Sequence, residues 1–342
     1  MKAPLRLGTR RSNLATSQSR LVAQALTAAT GRDVELVEVT TAGDVSRASL
    51  SQIGGTGVFV SALRDALLRG EVDLAVHSLK DIPTTPEPGL VIAAVPQRED
   101  PRDVLVARDG LTLGELPEGS VVGTGSPRRA AQLMALGLGL EIRDIRGNVD
   151  TRLKMVNTGE LDAVLLAHAG LRRVGYADRV TEVIDPLQIL SAPGQGALAV
   201  ECREDDEETL AACRLLDDPD SRASVEAERA LLAALEAGCT APVGALAVVG
   251  EGDDGPELYL RAVVAATDGS GDLRRSATGP LEKPAELGRR LAALMIEDGA
   301  PELMGNRTAT GRQPGHAGQA SELEQQPIET TGGEPAIVES ET

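Results

Sequence analysis

Lys80 and Asp81 stand side by side in AVHSLKDIPT (75–84), where an apolar run stops and Pro83 soon removes a backbone donor. A carboxylate beside an ammonium at a strand's carboxyl end lies on the rim where open α/β sheets bind ligands; the plainer alternative is an exposed, solvated pair. Arginines recur at comparable places: Arg10 and Arg11 after LRLGT, Arg128 and Arg129 after SVVGTGSP, Arg146 and Arg152 around Gly147-Asn148, and Arg172 and Arg173 after LLAHAGL. Cations in a helix's first turn oppose its dipole, so an anion held between them and the free N–H groups explains them better than helix energetics does; solvated surface arginines are the alternative. The guanidinium fork fits carboxylate and phosphate equally well. The chain has no GxxxxGK[ST] loop and no evident acidic metal cluster, which favours a polycarboxylate over a nucleoside triphosphate. An Asp81 kept ionised among such cations suits stabilising a developing positive charge more than donating a proton.

The elements that must position these groups follow from punctuation and period. Ser12 is a helix cap before an apolar periodicity that runs to Gly31, and VELVEVT (34–40) alternates as a strand. Residues 41–57 carry glycine and small polar side chains without apolar period and read as a loop; Phe59 to Arg69 reads as an amphipathic helix feeding a strand at 72–76. LVIAAV (90–95) and DVLVA (103–107) are buried strands, and QREDPRD between them reads as a hinge. Residues 120–136 repeat the amino-terminal logic: apolar strand, Gly-Thr, capping Ser126, Pro127 at the first helical position, then a helix. GEVDLAV (70–76) is echoed by GELDAVL (159–165), so two half-similar α/β modules facing a cleft are the simplest account. His168 reads as a packed, hydrogen-bonded side chain rather than a base, and Cys202 as a small core residue. Beyond about Asp220 come a long helix ended by Gly238, an antiparallel meander and a covering helix at 284–298, which together read as a small α+β domain. The expected divisions are 1–96 with 197–216, 97–196, 217–305, and a disordered tail at 306–342 rich in Gly, Gln, Glu, Thr and Pro.

Composition narrows the classes further. With 34 basic and 52 acidic residues the net charge is −18, and two Tyr, one Phe and no Trp leave no base-stacking platform, so nucleic acid is not an expected partner. The start MKAPLRLGTRRS carries charge where a signal peptide needs an apolar block, and no stretch approaches a membrane span, which makes the expected location cytoplasmic. Three cysteines, Cys202, Cys213 and Cys239, form neither a paired framework nor a CxxC, and the three histidines lack metal-ligand spacing. Cys239, just past a helix, is a buried spacer or a covalent attachment point; a helix C-terminus gives it no dipole that would lower its pKa.

The strings LGTRRSNLATSQ, GGTGVF, AVHSLKDIPT, REDPRD, GTGSPRRAAQL, IRGNVDTRL, AGLRRVG, PGQGALAVECR and EAGCTAPVG, in this order, resemble the porphobilinogen deaminase (hydroxymethylbilane synthase) family over nearly residues 5 to 245. The resemblance implies two periplasmic-binding-protein-like α/β domains facing a cleft plus a small C-terminal α+β domain. It implies a monomeric transferase of tetrapyrrole biosynthesis that joins four porphobilinogen molecules head to tail and releases ammonia. It implies a dipyrromethane cofactor held by thioether to the cysteine of EAGCTAPVG, which is Cys239. Carried over by position, Asp81 is the catalytic carboxylate; Lys80, Ser126, Arg128, Arg129 and Arg152 hold the cofactor's carboxylates; Arg10, Ser12, Arg146 and Arg173 lie near the incoming substrate. Thr56 stands where a lysine is expected and His168 where a small apolar residue is expected. The expected mass of the purified protein exceeds that of its sequence by one dipyrromethane unit mapping to Cys239. Intact-mass and peptide analysis should show Cys239→Ser without the adduct and Cys202→Ser and Cys213→Ser with it; an adduct on either of the latter cysteines refutes the assignment.

Overall fold

The computed structural model describes residues 3–39, 60–237, 241–252 and 255–305. The expected loop at 41–57 with Thr56, Phe59, Gly238, Cys239 and the expected tail at 306–342 lie outside the described residues.

Among the described residues, two five-stranded sheets share one connectivity. The first is built from β1 (Leu5–Thr9), β2 (Val34–Glu38), β3 (Leu74–Ser78), β4 (Leu90–Ala94) and, from much later in the chain, β10 (Leu198–Arg203), in the order β2-β1-β3-β10-β4. The second uses β5 (Asp103–Ala107), β6 (Val121–Gly123), β7 (Glu141–Arg143), β8 (Ala163–Ala167) and β9 (Glu182–Val183), in the order β7-β6-β8-β5-β9. In each sheet four strands run parallel, and the strand in fourth place, β10 or β5, lies antiparallel between the third and the fifth. Each of these antiparallel strands enters directly from the other sheet. The chain therefore crosses twice, at 95–102 and 190–197, and both crossings arrive where the parallel strands end. The hinge read into QREDPRD is the first of them.

The first sheet's helices are α1 (Asn13–Thr30) and α2 (Ser61–Leu68); α3 (Pro127–Ala135), α4 (Val149–Asn157) and α5 (His168–Arg173) serve the second. Ser12 accepts a hydrogen bond from the Ala15 N–H and Gly31 closes α1 in the left-handed region at φ 67°, as the absence of a Cβ permits. Ser126 caps α3 through the Arg129 N–H, with Pro127 in the first turn. β3 runs to Ser78, two residues beyond the expected end, because β10 pairs with it from Leu198 opposite Ser78 to Cys202 opposite Leu74. Arg172 and Arg173 close α5 rather than a strand, and there cations favour the helix dipole.

After α6 (Glu207–Arg214) comes α7 (Pro219–Ala234), which stops short of the expected Gly238: Leu235 is its cap and Glu236 turns left-handed at φ 51°. β11 (Val243–Gly252), β12 (Gly255–Ala265) and β13 (Asp272–Pro280) form the expected meander, covered by α7 and α8 (Pro284–Glu297), with the short α9 (Ala300–Leu303) beyond. Leu231, Leu258, Leu260, Leu291 and Met295 are fully buried in the core between them. Cys202 and Cys213 are buried in the core of the first sheet, as expected for Cys202.

One buried ion pair joins all three sheets. Arg98, on the first crossing, makes a bidentate pair with the fully buried Glu228 of α7 at 2.7 and 3.0 Å. Glu228 also accepts from Gly194 N–H on the second crossing (2.6 Å) and from Ala247 N–H in β11 (2.8 Å). Gly196, at φ +89°, lets the crossings touch: a Cβ there would lie 2.3 Å from the Glu99 carbonyl oxygen. Glu228→Ala leaves Arg98 buried without its partner and should cost about 3 to 5 kcal/mol. Urea unfolding should show that loss, whereas Glu226→Ala, which removes an exposed pair at 3.6 Å, should change stability by less than about 1 kcal/mol.

Candidate active site

The turn Leu79–Asp81 follows β3 directly, so Lys80 and Asp81 stand at the carboxyl end of the first sheet, on the rim the sequence assigned to them. Asp81 is exposed and Lys80 half-buried. The Lys80 ammonium donates to Gln195 Oε1 (3.2 Å), which the second crossing places between the sheets. From the other sheet, the first turn of α3 points Arg128 and Arg129 inward, both buried.

These arginines have an internal partner that sequence reasoning did not assign. Asp103, fully buried as the first residue of β5, accepts from Arg128 Nη2 (2.7 Å) and from Arg129 Nε (3.1 Å) and Nη2 (2.7 Å). Gln195 Nε2 donates to the same carboxylate at 2.7 Å, and Arg129 Nη2 reaches Gln195 Oε1 at 3.5 Å. Arg129 Nη1 also donates to the Leu165 carbonyl at 3.1 Å. Burial pushes the Asp103 carboxyl up, but Arg128, Arg129 and Gln195 outweigh it and hold it below the usual carboxylate range. The available signals were an aspartate opening the otherwise apolar strand DVLVA and a glutamine between two glycines in PGQG.

Cations accumulate around this centre. Burial, then Arg129 and Arg128, push Lys80 down to about 8 against the opposing pull of Asp81 and Asp103. Burial followed by Arg129 and Arg146 pushes Arg152 down to about 10, so these three guanidiniums share one neighbourhood, with Asp144 the opposing charge. Nε of Arg128 and of Arg146 are buried donors without a hydrogen-bond partner among the described residues. Crowded like charges with unused donors fit a ligand bearing several carboxylates, which would relieve both costs.

The remaining predicted residues divide. Arg173 donates to the Gly196 carbonyl (2.6 Å), is pushed down to about 10 by burial, and lines a cavity of about 550 Å³ with Arg98, Glu99 and Leu198 beside the first crossing. Ser12 and Ser126 cap α1 and α3, and Arg10 is half-buried at the turn into α1. Arg11 pairs instead with Glu38, and Arg172 with Glu99 at 3.0 Å; both arginines are exposed. His168 is hydrogen-bonded through Nδ1 to Asp100 Oδ2 (2.9 Å), the packed role expected of it. Cys239 lies outside the described residues. Among the described residues no group of His, Cys, Asp and Glu could hold a metal ion, and no helix is long and apolar enough to cross a membrane.

Two α/β sheets that turn their strand ends toward one cationic cluster define a two-lobed protein with a positively charged site between the lobes. Comparison with known families gives the particular one. Residues 5–211 match the family described as porphobilinogen deaminase, dipyromethane cofactor binding domain, and residues 223–297 match its C-terminal domain. The chain belongs to the porphobilinogen deaminase family. It is 60% identical to porphobilinogen deaminase 1 of Streptomyces coelicolor, with 89% of this chain and 98% of that protein aligned. It is 57% identical to the porphobilinogen deaminase of Mycobacterium tuberculosis, with 88% and 98% aligned. Among solved structures it is similar to a periplasmic substrate-binding protein of an ABC transporter from Coxiella burnetii at 14% identity and TM-score 0.41, covering 62% of this chain and 91% of that one.

The depressed ammonium has a measurable consequence. Lys80 binds its proton more weakly folded (about 8) than unfolded (10.5), so below pH 8 both states hold the proton and the folded state bears the cost of a partly desolvated cation. Between pH 8 and 10.5 the unfolded state holds more proton, so this contribution to stability rises with pH. Lys80→Gln should therefore be more stable than wild type at pH 7, and the difference should shrink from pH 8 to 10.5; urea midpoints that keep a constant gap would contradict the shift.

Proposed function

We propose that this chain condenses four porphobilinogen molecules head to tail, releasing ammonia and the linear product hydroxymethylbilane, with Asp81 as its catalytic carboxylate. The carrying observation is that Asp81 ends the turn whose Lys80 shares Gln195 with Arg129, so an exposed carboxylate stands beside a buried cationic cluster. Every pyrrole unit brings two carboxylates, and a chain that grows while attached multiplies them, which is the load such a cluster suits. The bound dipyrromethane supplies the acceptor from which the product chain is extended. Lys80, Ser126, Arg128, Arg129 and Arg152 are assigned to its carboxylates, Cys239 to its thioether, and Arg10, Ser12, Arg146 and Arg173 to incoming substrate. The unused donors on Arg128 and Arg146 support both groups of assignments.

Porphobilinogen's aminomethyl group is an ammonium near neutral pH, so its departure needs little further protonation and leaves positive charge on the ring. A fixed carboxylate beside the pyrrole nitrogen lowers that barrier because its charge is already oriented when the cation develops. Three domains, 1–96 with 197–216, 97–196, and 217–305, accord with the three sheets, and the reading includes a monomeric cytoplasmic enzyme. The reading includes neither a nucleic-acid nor a membrane partner, and a net charge of −18 disfavours attraction to either anionic surface.

Single-turnover ammonia release from porphobilinogen tests this, with intact mass measured alongside. Wild type should release ammonia and yield a product that closes to uroporphyrinogen, which gives uroporphyrin once an added oxidant is supplied; saturable binding without turnover sinks the proposal. Asp81→Asn should keep its fold and cofactor mass yet lose roughly 10²- to 10³-fold in rate, and Asp81→Glu should retain a measurable fraction. Ammonia release by Asp81→Asn at the wild-type rate would move the catalytic role to another residue.

A further inference from the structure

The two crossings meet at a single carboxylate. Asp103 begins the strand that arrives from the first sheet, and Gln195 belongs to the segment that returns to it. Gln195 is fully buried and uses its amide on both sides: Nε2 donates to Asp103 Oδ1 (2.7 Å) and to the Pro101 carbonyl (2.7 Å), while Oε1 accepts from Lys80 and Arg129. Asp103 meanwhile takes three hydrogen bonds from Arg128 and Arg129. Three cations from two different sheets are thus indexed to one internal anion. Without it, two arginines in one helix turn would repel each other and oppose the helix dipole. One carboxylate among three cations still leaves a positive excess for a ligand.

We propose that Asp103, relayed through Gln195, is a positioning residue that holds Arg128, Arg129 and Lys80 as one fixed cationic array beside Asp81. The proposal rests on the reading that this array receives the carboxylates of cofactor or substrate. Asp103 itself makes no contact with the reacting atoms; its effect passes through the cations it orders. Lys80 is faced by Arg128 and Arg129 from α3, by Asp103 from β5, by Gln195 from the second crossing and by Asp81 from its own turn. Asp103 is one of the two anions in that set that favour the ammonium. Removing its charge leaves the two guanidiniums less opposed, so Lys80 gives up its proton at lower pH.

The experiment is the pH dependence of kcat and KM for porphobilinogen with the cofactor-loaded enzyme. A wild type that does not turn over would refute the functional reading itself, before the positioning role is reached. With wild type active, Asp103→Asn should raise KM several-fold and move the alkaline limb of kcat/KM about half a unit or more toward lower pH. In a Lys80→Arg background, whose guanidinium keeps its proton, the same substitution should move no limb. A merely structural role for Asp103 would lower activity evenly across pH. The proposal is overturned by Asp103→Asn with wild-type KM and an unmoved limb, or by an equal movement in the Lys80→Arg background. Should Asp103→Asn fold poorly or lose its cofactor mass, Gln195→Met cuts the relay while leaving the Asp103 pairs with both arginines. It should move the limb in the same direction with a smaller change in KM, and an unchanged profile refutes the relay.

Discussion

The bidentate pair between Arg98 and Glu228 is the contact on which the rest of the structure depends. Two sheets that each borrow their antiparallel strand from the other's chain segment must have both connections running side by side. Glu228 sits where they do, holding Arg98 from one and the Gly194 N–H from the other, and it takes the Ala247 N–H of the third sheet as well. Burying a carboxylate is costly unless its lone pairs are satisfied, and these four donors satisfy them. The pair is less a source of net stability than a way of specifying one arrangement of three sheets.

That arrangement brings the strand ends of both sheets to one place, and the consequence is electrostatic. An acidic chain concentrates Lys80, Arg128, Arg129, Arg146 and Arg152 in a partly dry volume, where desolvation and then mutual repulsion depress Lys80 and Arg152. Such a volume is unfavourable by itself and becomes favourable when filled by anions. Asp103 offsets part of that cost internally, which is why Arg128 and Arg129 can be buried at a helix start at all. Asp81 remains exposed at the edge of this volume, beside the Lys80 ammonium whose charge it favours.

The third sheet contributes by contact with the second. The Ala245 N–H donates to the Ser191 carbonyl at 2.9 Å, and Arg274 donates to the Leu187 carbonyl at 3.0 Å, so the segment leading into the second crossing is held from this side too. Gly269 lies against Met134, near the carboxyl end of α3, whose first turn carries Arg128 and Arg129. The helix that presents those arginines is therefore braced at both ends, by Asp103 at one and by the meander at the other.

The sequence by itself determined the local elements and the inventory of charges. Ser12, Gly31, Ser126 and Pro127 announce their helix ends because capping is a matter of a few neighbouring residues, and DVLVA and the meander show their strand character in composition alone. It also placed Lys80 and Asp81 on a rim and counted the arginines that cluster on strand-to-helix turns. A boundary that depends on a partner is not legible locally: β3 continues to Ser78 because β10 pairs with it. The end of α7 at Ala234, with Glu236 left-handed, also falls short of Gly238. Only the tertiary structure decided which charges meet. Arg11 and Arg172 turn to surface acids while Arg128 and Arg129 turn to Asp103, a partner 25 residues away from one and 26 from the other. Coulomb energy depends on separation and on burial, and both were set by two chain crossings whose meeting point no local pattern encodes.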